Sequence, residues 1–244
     1  MTTDRETLAT PTQALTIGAH PDDAEFGAGG TLARWAADGC EITMLVVTDG
    51  SKGTWDPALT PEQLIESRRA EQRAAADELG AGKVVMLGAV DGELEPSPAL
   101  RREFAGWIRK LRPDIVLTHD PWKRYMLHPD HRVTGFAVVD AVVAARDHLF
   151  FPDQLTGGVE KHRPGALLLW AADEPDHFED IADTFDRKLA ALLHHSSQTQ
   201  TTMGDALSSD VARRAFEDRI REWAAQQGEP AGLPLAESFK RLTP

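Results

Sequence analysis

Cysteine is nearly missing from this chain of 244 residues: Cys40 stands alone. A single thiol excludes a disulfide framework and a thiolate metal cluster, and makes the cytoplasm the default compartment. Basic residues are also scarce, since 26 Lys and Arg face 39 Asp and Glu for a net charge of −13. That balance speaks against nucleic acid or an anionic membrane as a partner. No apolar run approaches the roughly 20 residues of a membrane span. The opening MTTDRETLATPTQ lacks the apolar core of a signal peptide and reads as a short disordered arm over 1–13. What is present is ordinary: 41% hydrophobic and 27% charged residues suffice to bury a sizeable core.

Apolar runs alternate with longer amphipathic stretches. Strands are expected at 14–19 (ALTIGA), 41–48 (EITMLVVT), 83–88 (KVVMLG), 114–119 (DIVLTH) and 165–172 (GALLLWAA). Helices are expected from about Gly29 to Asp38, from Thr60 to Gly80, near Pro98 to Leu111, across DHRVTGFAVVDAVVAARDH, up to Leu193, and over roughly Ser209 to Gln227. Thr60 suits an N-cap with Pro61 at the first helical position, and Gly80 suits a stop. Continuous apolar strands separated by such helices mean βαβ units. The expected fold is α/β, a Rossmann-like three-layer arrangement with a mostly parallel sheet and a site at the carboxyl ends of its strands. No repeat or long linker divides the chain, so one domain is expected over 14–244.

Polar residues crowd those strand ends. GAHPDDAEFGAGGT, residues 18–31, puts His20, Asp22 and Asp23 in the turn after the first strand. Carboxylates near a core are costly unless paired, hydrogen-bonded or bound to a cation. Thr48, Asp49 and Gly50 follow the second strand, and Asp91 and Gly92 the third. His119, Asp120, His128, Asp130 and His131 follow the fourth. His20/Asp23 and His128/His131 share an i, i+3 spacing, which at a turn or helix start aims both side chains at one point. Imidazole and carboxylate suit zinc, whose catalytic sites use three protein ligands and leave a position for water. Of the adjacent Asp22 and Asp23, one can ligate while the other faces water as a base. Each residue alone also fits a capping role; five together on neighbouring strand ends favour a metal site.

AHPDD followed by GGT, with HPDH about a hundred residues later, resembles the LmbE-like/PIG-L family of zinc-dependent N-deacetylases. VVTDGSKG, SRRAEQRAAADELG, VDGEL, RPDIVLTHDP, KLAALLHHSSQ and GLPLAESF extend the resemblance, in family order, from about Leu15 to Phe239. By motif position it implies zinc, or another divalent metal such as Fe2+, held by His20, Asp23 and His131. It implies Asp22 as the base that activates water. His128 would stabilise the oxyanion or protonate the leaving amine, oriented by Asp130. Arg68 would reach substrate, with Glu71 structural, although ESRRAEQR by itself reads as a solvated face with local ion pairs. Tyr125, the one tyrosine, would help hold the oxyanion or simply pack; His195 would line the pocket or satisfy a helix end.

The implied reaction removes an acetyl group from the nitrogen of a GlcNAc-containing small molecule, and relatives of this kind are often homo-oligomers. Ala24 stands where many relatives have Glu, a form nearer the bacillithiol-type subgroup than the mycothiol one. Glucosaminyl-inositol, glucosaminyl-malate, chito-oligosaccharide, antibiotic precursors and a thiol-conjugate amide all remain open as substrates.

Other readings compete. GAGGTL offers Gly27-x-Gly29, but Leu32 stands where a dinucleotide fingerprint has its third glycine, and DGSKG lacks the P-loop spacing. A metal-dependent phosphoesterase also uses His and Asp, yet often holds two metals with more basic residues. A non-catalytic sugar-binding protein has no need of a base, and every catalytic position here is filled.

Overall fold

The computed structural model describes residues 8–244. Its strands are β1 (Gln13–Gly18), β2 (Glu41–Thr48), β3 (Lys83–Ala89), β4 (Ile115–His119), β5 (Ala166–Trp170), β6 (His177–Asp180) and β7 (Ala236–Leu242). They form one sheet in the order β3-β2-β1-β4-β5-β7-β6. β1 to β5 are parallel, and β7 runs antiparallel to both β5 and β6. The helices are α1 (Asp23–Ala37), α2 (Pro61–Leu79), α3 (Pro98–Leu111), α4 (Pro129–Arg146), α5 (Phe185–Leu193) and α6 (Asp210–Gly228).

Alternation along the strands builds a core on each face of the sheet. Leu15, Ile17, Leu45, Val116 and Leu169 meet Phe104 and Ile108 of α3 and Val138 and Val142 of α4. Met44, Leu117, Leu168 and Trp170 meet Leu32 and Trp35 of α1 and Leu79 of α2. A third cluster joins Phe185 and Leu192 of α5 to Phe216 and Ile220 of α6. Each fully buried side chain of this size stabilises the fold by about 1.5–3 kcal/mol relative to exposure. Chain order reverses at β1, with β2 and β3 on one side and β4 and β5 on the other. In such a sheet the ligand crevice lies at that reversal.

Three details depart from expectation. Helix α1 begins at Asp23 rather than near Gly29. Its glycines do not end it; they let it press inward. A Cβ on Gly27 would stand 2.6 Å from the Trp170 ring, and one on Gly30 2.6 Å from Ile181. The GAGG run is therefore a close-approach surface and not a phosphate loop.

Strands β6 and β7 were not anticipated, because their charged residues obscure the apolar pattern. Those charges are satisfied internally. Glu237 accepts the backbone N–H groups of Gly30 and Thr31 at 2.9 and 2.8 Å and pairs with Lys188 at 2.5 Å. Buried Glu179 pairs with Arg34 and lies 2.6 Å from His177.

At the other end, residues 1–7 of the expected arm lie outside the described residues. Beyond them the chain is fastened: Leu8 rests on the core, and the Thr12 N–H donates to the Asp114 carboxylate at 2.8 Å. Gln13 already belongs to β1, so residues 8–13 do not form a free arm.

Candidate metal centre and active site

Two helix starts supply most of the site. Asp22 is the N-cap residue of α1, yet its side chain makes no capping bond and its φ of 97° lies in the left-handed region. Capping therefore does not account for Asp22. Non-glycine residues held in that region cluster at functional sites. His128 is the N-cap of α4, with Nδ1 accepting the Asp130 N–H at 3.3 Å. That bond leaves the ring proton of neutral His128 on Nε2.

The residues expected to ligate lie close together. His20 Nδ1 lies 3.1 Å from His131 Nε2 and 3.6 Å from Asp23 Oδ2, while Asp23 Oδ1 lies 3.3 Å from His131 Nε2. Donors 2.0–2.2 Å from one tetrahedral zinc stand about 3.4 Å apart. The His20–His131 and Asp23 Oδ1–His131 spacings match that, and imidazole and carboxylate suit the ion, while His20 faces the other oxygen of Asp23. Taking one atom from each residue, ligand atoms of His20, His128 and His131 fall within 4.8 Å of one another, as do those of Asp23, His119 and His131.

Charge points the same way. Burial opposes a cation on His20, but bonds to Asp130, Asp23 and Asp91 outweigh it and push the pKa up to about 12. The carboxylates around this point demand positive charge. Asp23 is held well below the usual carboxylate range; burial resists this, and His131 and His119 overcome it.

Behind His20 the arrangement differs from expectation. Asp130 does not orient the His128 ring with its side chain. Its carboxylate is buried and accepts from His20 Nε2 at 3.1 Å, Gly92 N at 2.7 Å and Leu94 N at 3.3 Å. Asp91 Oδ1 also lies 3.1 Å from His20 Nε2. The reason is the helix start: α4 turns Asp130 back towards the β1 and β3 loops, leaving only its backbone N–H for His128. With Nε2 protonated towards these acceptors, Nδ1 of His20 is free to ligate, an outer partnership common for metal-bound histidine.

Asp22 and Arg68 form the chemical edge. Arg68 is buried, so the solvated-face reading of its helix fails there. It donates to Pro21 O at 2.6 Å and Gly50 O at 3.2 Å, and stands 3.6 Å from Asp22 Oδ2. Burial raises the Asp22 pKa to about 6, and the Arg68 charge keeps it from rising further. Burial and the neighbouring His20 and His131 lower the pKa of His128. Glu71 is structural, accepting Ser196 and Ser197 hydroxyls at 2.7 Å and so fastening the turn that carries Gln198.

His20, Asp22, Asp23, Arg68, His128 and His131 line a cavity of about 620 Å³, with Trp55, Met126, Trp170, Gln198 and Trp223 among its walls. Two expected substrate contacts are absent from that lining. Tyr125 is 87% exposed at the tip of its loop with φ 60°, and Met126 turns inward in its place. His195 is fully buried, 3.6 Å from Glu25 Oε1, one layer behind Asp22. Gln198 of the same HHSSQ stretch reaches the cavity instead. Sequence reasoning placed His119 and Asp91 on the rim without a role; their only signal was their position at strand ends.

A His/Asp donor set on the carboxyl rim of a Rossmann-like sheet, with an unpaired-for-capping aspartate beside it, is the build of a metal-dependent hydrolase. Residues 15–142 match the model of the PIG-L family, described as GlcNAc-PI de-N-acetylase, and the chain belongs to that metal-dependent family. The chain is 38% identical over 228 residues to diacetylchitobiose deacetylase of Thermococcus kodakarensis, covering 93% of this chain and 82% of that one. It is 32% identical to a 1D-myo-inositol 2-acetamido-2-deoxy-alpha-D-glucopyranoside deacetylase of Geodermatophilus obscurus, over 84% of this chain and 82% of that protein. Among solved structures, N,N'-diacetylchitobiose deacetylase from Pyrococcus horikoshii, complexed with its inhibitor MPG, superposes with a TM-score of 0.86 at 32% identity. That match covers 96% of this chain and 84% of the other. Among the described residues, no helix is long and apolar enough to cross a membrane.

Proposed function

We propose that the chain is a zinc-dependent N-deacetylase that hydrolyses the acetamide of a small GlcNAc-containing molecule. The observation that carries this reading is the placement of His131 Nε2 3.1 Å from His20 Nδ1 and 3.3 Å from Asp23 Oδ1, on a cavity shared with Asp22. Zinc in such a donor set supplies Lewis acidity, acidifying water and polarising an amide carbonyl. Asp22 takes a proton from water as the water oxygen adds to the carbonyl carbon. It returns that proton to the amide nitrogen as the C–N bond breaks, releasing acetate and a free amine. His128, with its proton on Nε2, is the donor we assign to the oxyanion. Arg68 keeps Asp22 ionised.

Similarity to diacetylchitobiose deacetylase supports an N-acetylated amino-sugar disaccharide as the first substrate to try. The lone Cys40 supports a cytoplasmic setting, and exposed Tyr125 and Leu127 beside the cavity mouth support a homo-oligomer. The deciding experiment pairs metal content with amine release from N-acetylglucosaminides. Asp22→Asn should retain zinc and lose about 10²–10⁴-fold in rate, the span typical of general base catalysis. His20→Ala should lose the metal. A protein without metal, or an active Asp22→Asn, overturns the reading.

A further inference from the structure

His119 lies at the end of β4, is buried, and is absent from the donor set argued above. Its two ring nitrogens have different partners. The indole Nε1–H of Trp170 stands 3.0 Å from His119 Nδ1. An indole N–H can only donate, so Nδ1 must offer a lone pair. The remaining nitrogen, Nε2, lies 3.0 Å from Asp23 Oδ2. A carboxylate can only accept, so Nε2 must carry the proton. The Ala19 N–H also approaches Nε2, at 3.3 Å. It cannot be satisfied by the same nitrogen, and a bare Nε2 would set its lone pair against a carboxylate oxygen.

Asp23 is thereby divided. Its Oδ2 accepts from His119 Nε2 at 3.0 Å and from the His20 backbone N–H at 2.7 Å. Its Oδ1 is the oxygen turned to His131 Nε2, at 3.3 Å.

We propose that His119 is a positioning residue, locked by Trp170 in its Nε2–H tautomer, that occupies Oδ2 of Asp23 and leaves Oδ1 alone for the metal. This rests on the metal site proposed above. The chain Trp170–His119–Asp23 runs from the wall of the cavity to a ligand, so the aromatic residue also sets the metal site. Trp170 further serves as the surface against which Gly27 seats α1, tying the same contact to the fold.

Two measurements test the proposal on the full chain. The first is the His119 tautomer, read from ¹⁵N-histidine NMR of the metal-free protein. The expected state is Nε2–H, with a mixture in Trp170→Phe. An Nδ1–H tautomer in the unsubstituted protein overturns the proposal whether or not metal binds. The second is zinc and cobalt affinity by chelator competition, in variants shown to be folded by circular dichroism. His119→Leu should bind about 10–100-fold more weakly, the usual cost of removing a ligand's outer partner. His119→Gln keeps an amide donor for Asp23 and should recover most of the loss. Unchanged affinity in His119→Leu, or equal loss in both variants, overturns the role of the donated bond. If the unsubstituted protein binds no metal, the metal-site reading fails, and with it the positioning role, even where the tautomer is as expected.

Discussion

Oδ2 of Asp130 lies 3.1 Å from Nε2 of His20, although 110 positions separate them in the chain. The same carboxylate gathers the Gly92 and Leu94 N–H groups, so it joins the β1, β3 and α4 ends of the rim. Asp130→Asn should therefore weaken zinc retention by roughly 10–100-fold, as loss of an outer carboxylate on a ligating histidine does. Chelator competition measures this. An Asp130→Asn protein with full metal affinity and a depressed rate would instead place the residue behind His128.

Cys40 is buried, and that burial, with the nearby Asp114 and Glu41 charges, pushes its thiol up to about 11. The thiolate is the nucleophile, so at pH 8 about one molecule in a thousand is reactive, against about a quarter of a free thiol. Alkylation by iodoacetamide at pH 8 should be at least about 100-fold slower than for glutathione, by intact mass, and should accelerate as pH rises towards 11. The sign for stability follows: a raised pKa favours the protonated folded form, so this contribution is present below the unfolded pKa and fades as pH climbs through 11. Rapid labelling of the folded protein at pH 8 would contradict this burial.

Arg109 reaches beneath the carboxyl end of α4. Its guanidinium donates to the carbonyls of Ala144, Ala145, Asp147, Phe150 and Phe151 and to Gln154 Oε1, at 2.7–3.2 Å. Arg109→Ala strands several buried carbonyls and should cost on the order of 3 kcal/mol. For a chain of this size that lowers Tm by roughly 6–12 °C. Arg109→Lys should recover only part of it, since an ammonium cannot span the fork. Metal content per folded molecule should not change, because α4 meets the site at its other end.

Much of this was legible in the residues. The five central strands read as apolar runs, and the crevice followed from their parallel order. A cluster of His20, Asp23, His128 and His131 was legible because two i, i+3 pairs fell on neighbouring strand ends; the choice of ligands among them rests on the family resemblance. What stayed hidden depended on partners distant in the chain. β6 and β7 carry charges that are satisfied only once Lys188, Arg34 and the α1 backbone arrive. The family resemblance pairs Asp130 with His128, and nothing local reveals that helix geometry aims its carboxylate at β1. Tyr125 suffered the reverse error: three residues from His128 in sequence, it is thrown outward by a left-handed turn.

Trp55 gives the clearest route to the substrate. It is 72% exposed on the loop after β2, yet lines the same cavity as Asp22, with Trp223 of α6 contributing another indole. A large aromatic surface kept in solvent contributes little to the fold, and pyranose rings stack their C–H faces on such indoles. For an amino-sugar disaccharide substrate, the prediction is that Trp55 stacks on the ring remote from the reacting acetamide. Trp55→Ala should then raise KM for the disaccharide roughly 5–30-fold, equivalent to about 1–2 kcal/mol, and leave kcat within about twofold. The KM for the corresponding N-acetylated monosaccharide should move much less. Steady-state amine release on both substrates measures the difference. Equal changes for both would place Trp55 against the acetylated ring itself, and a fall in kcat alone would remove it from substrate binding.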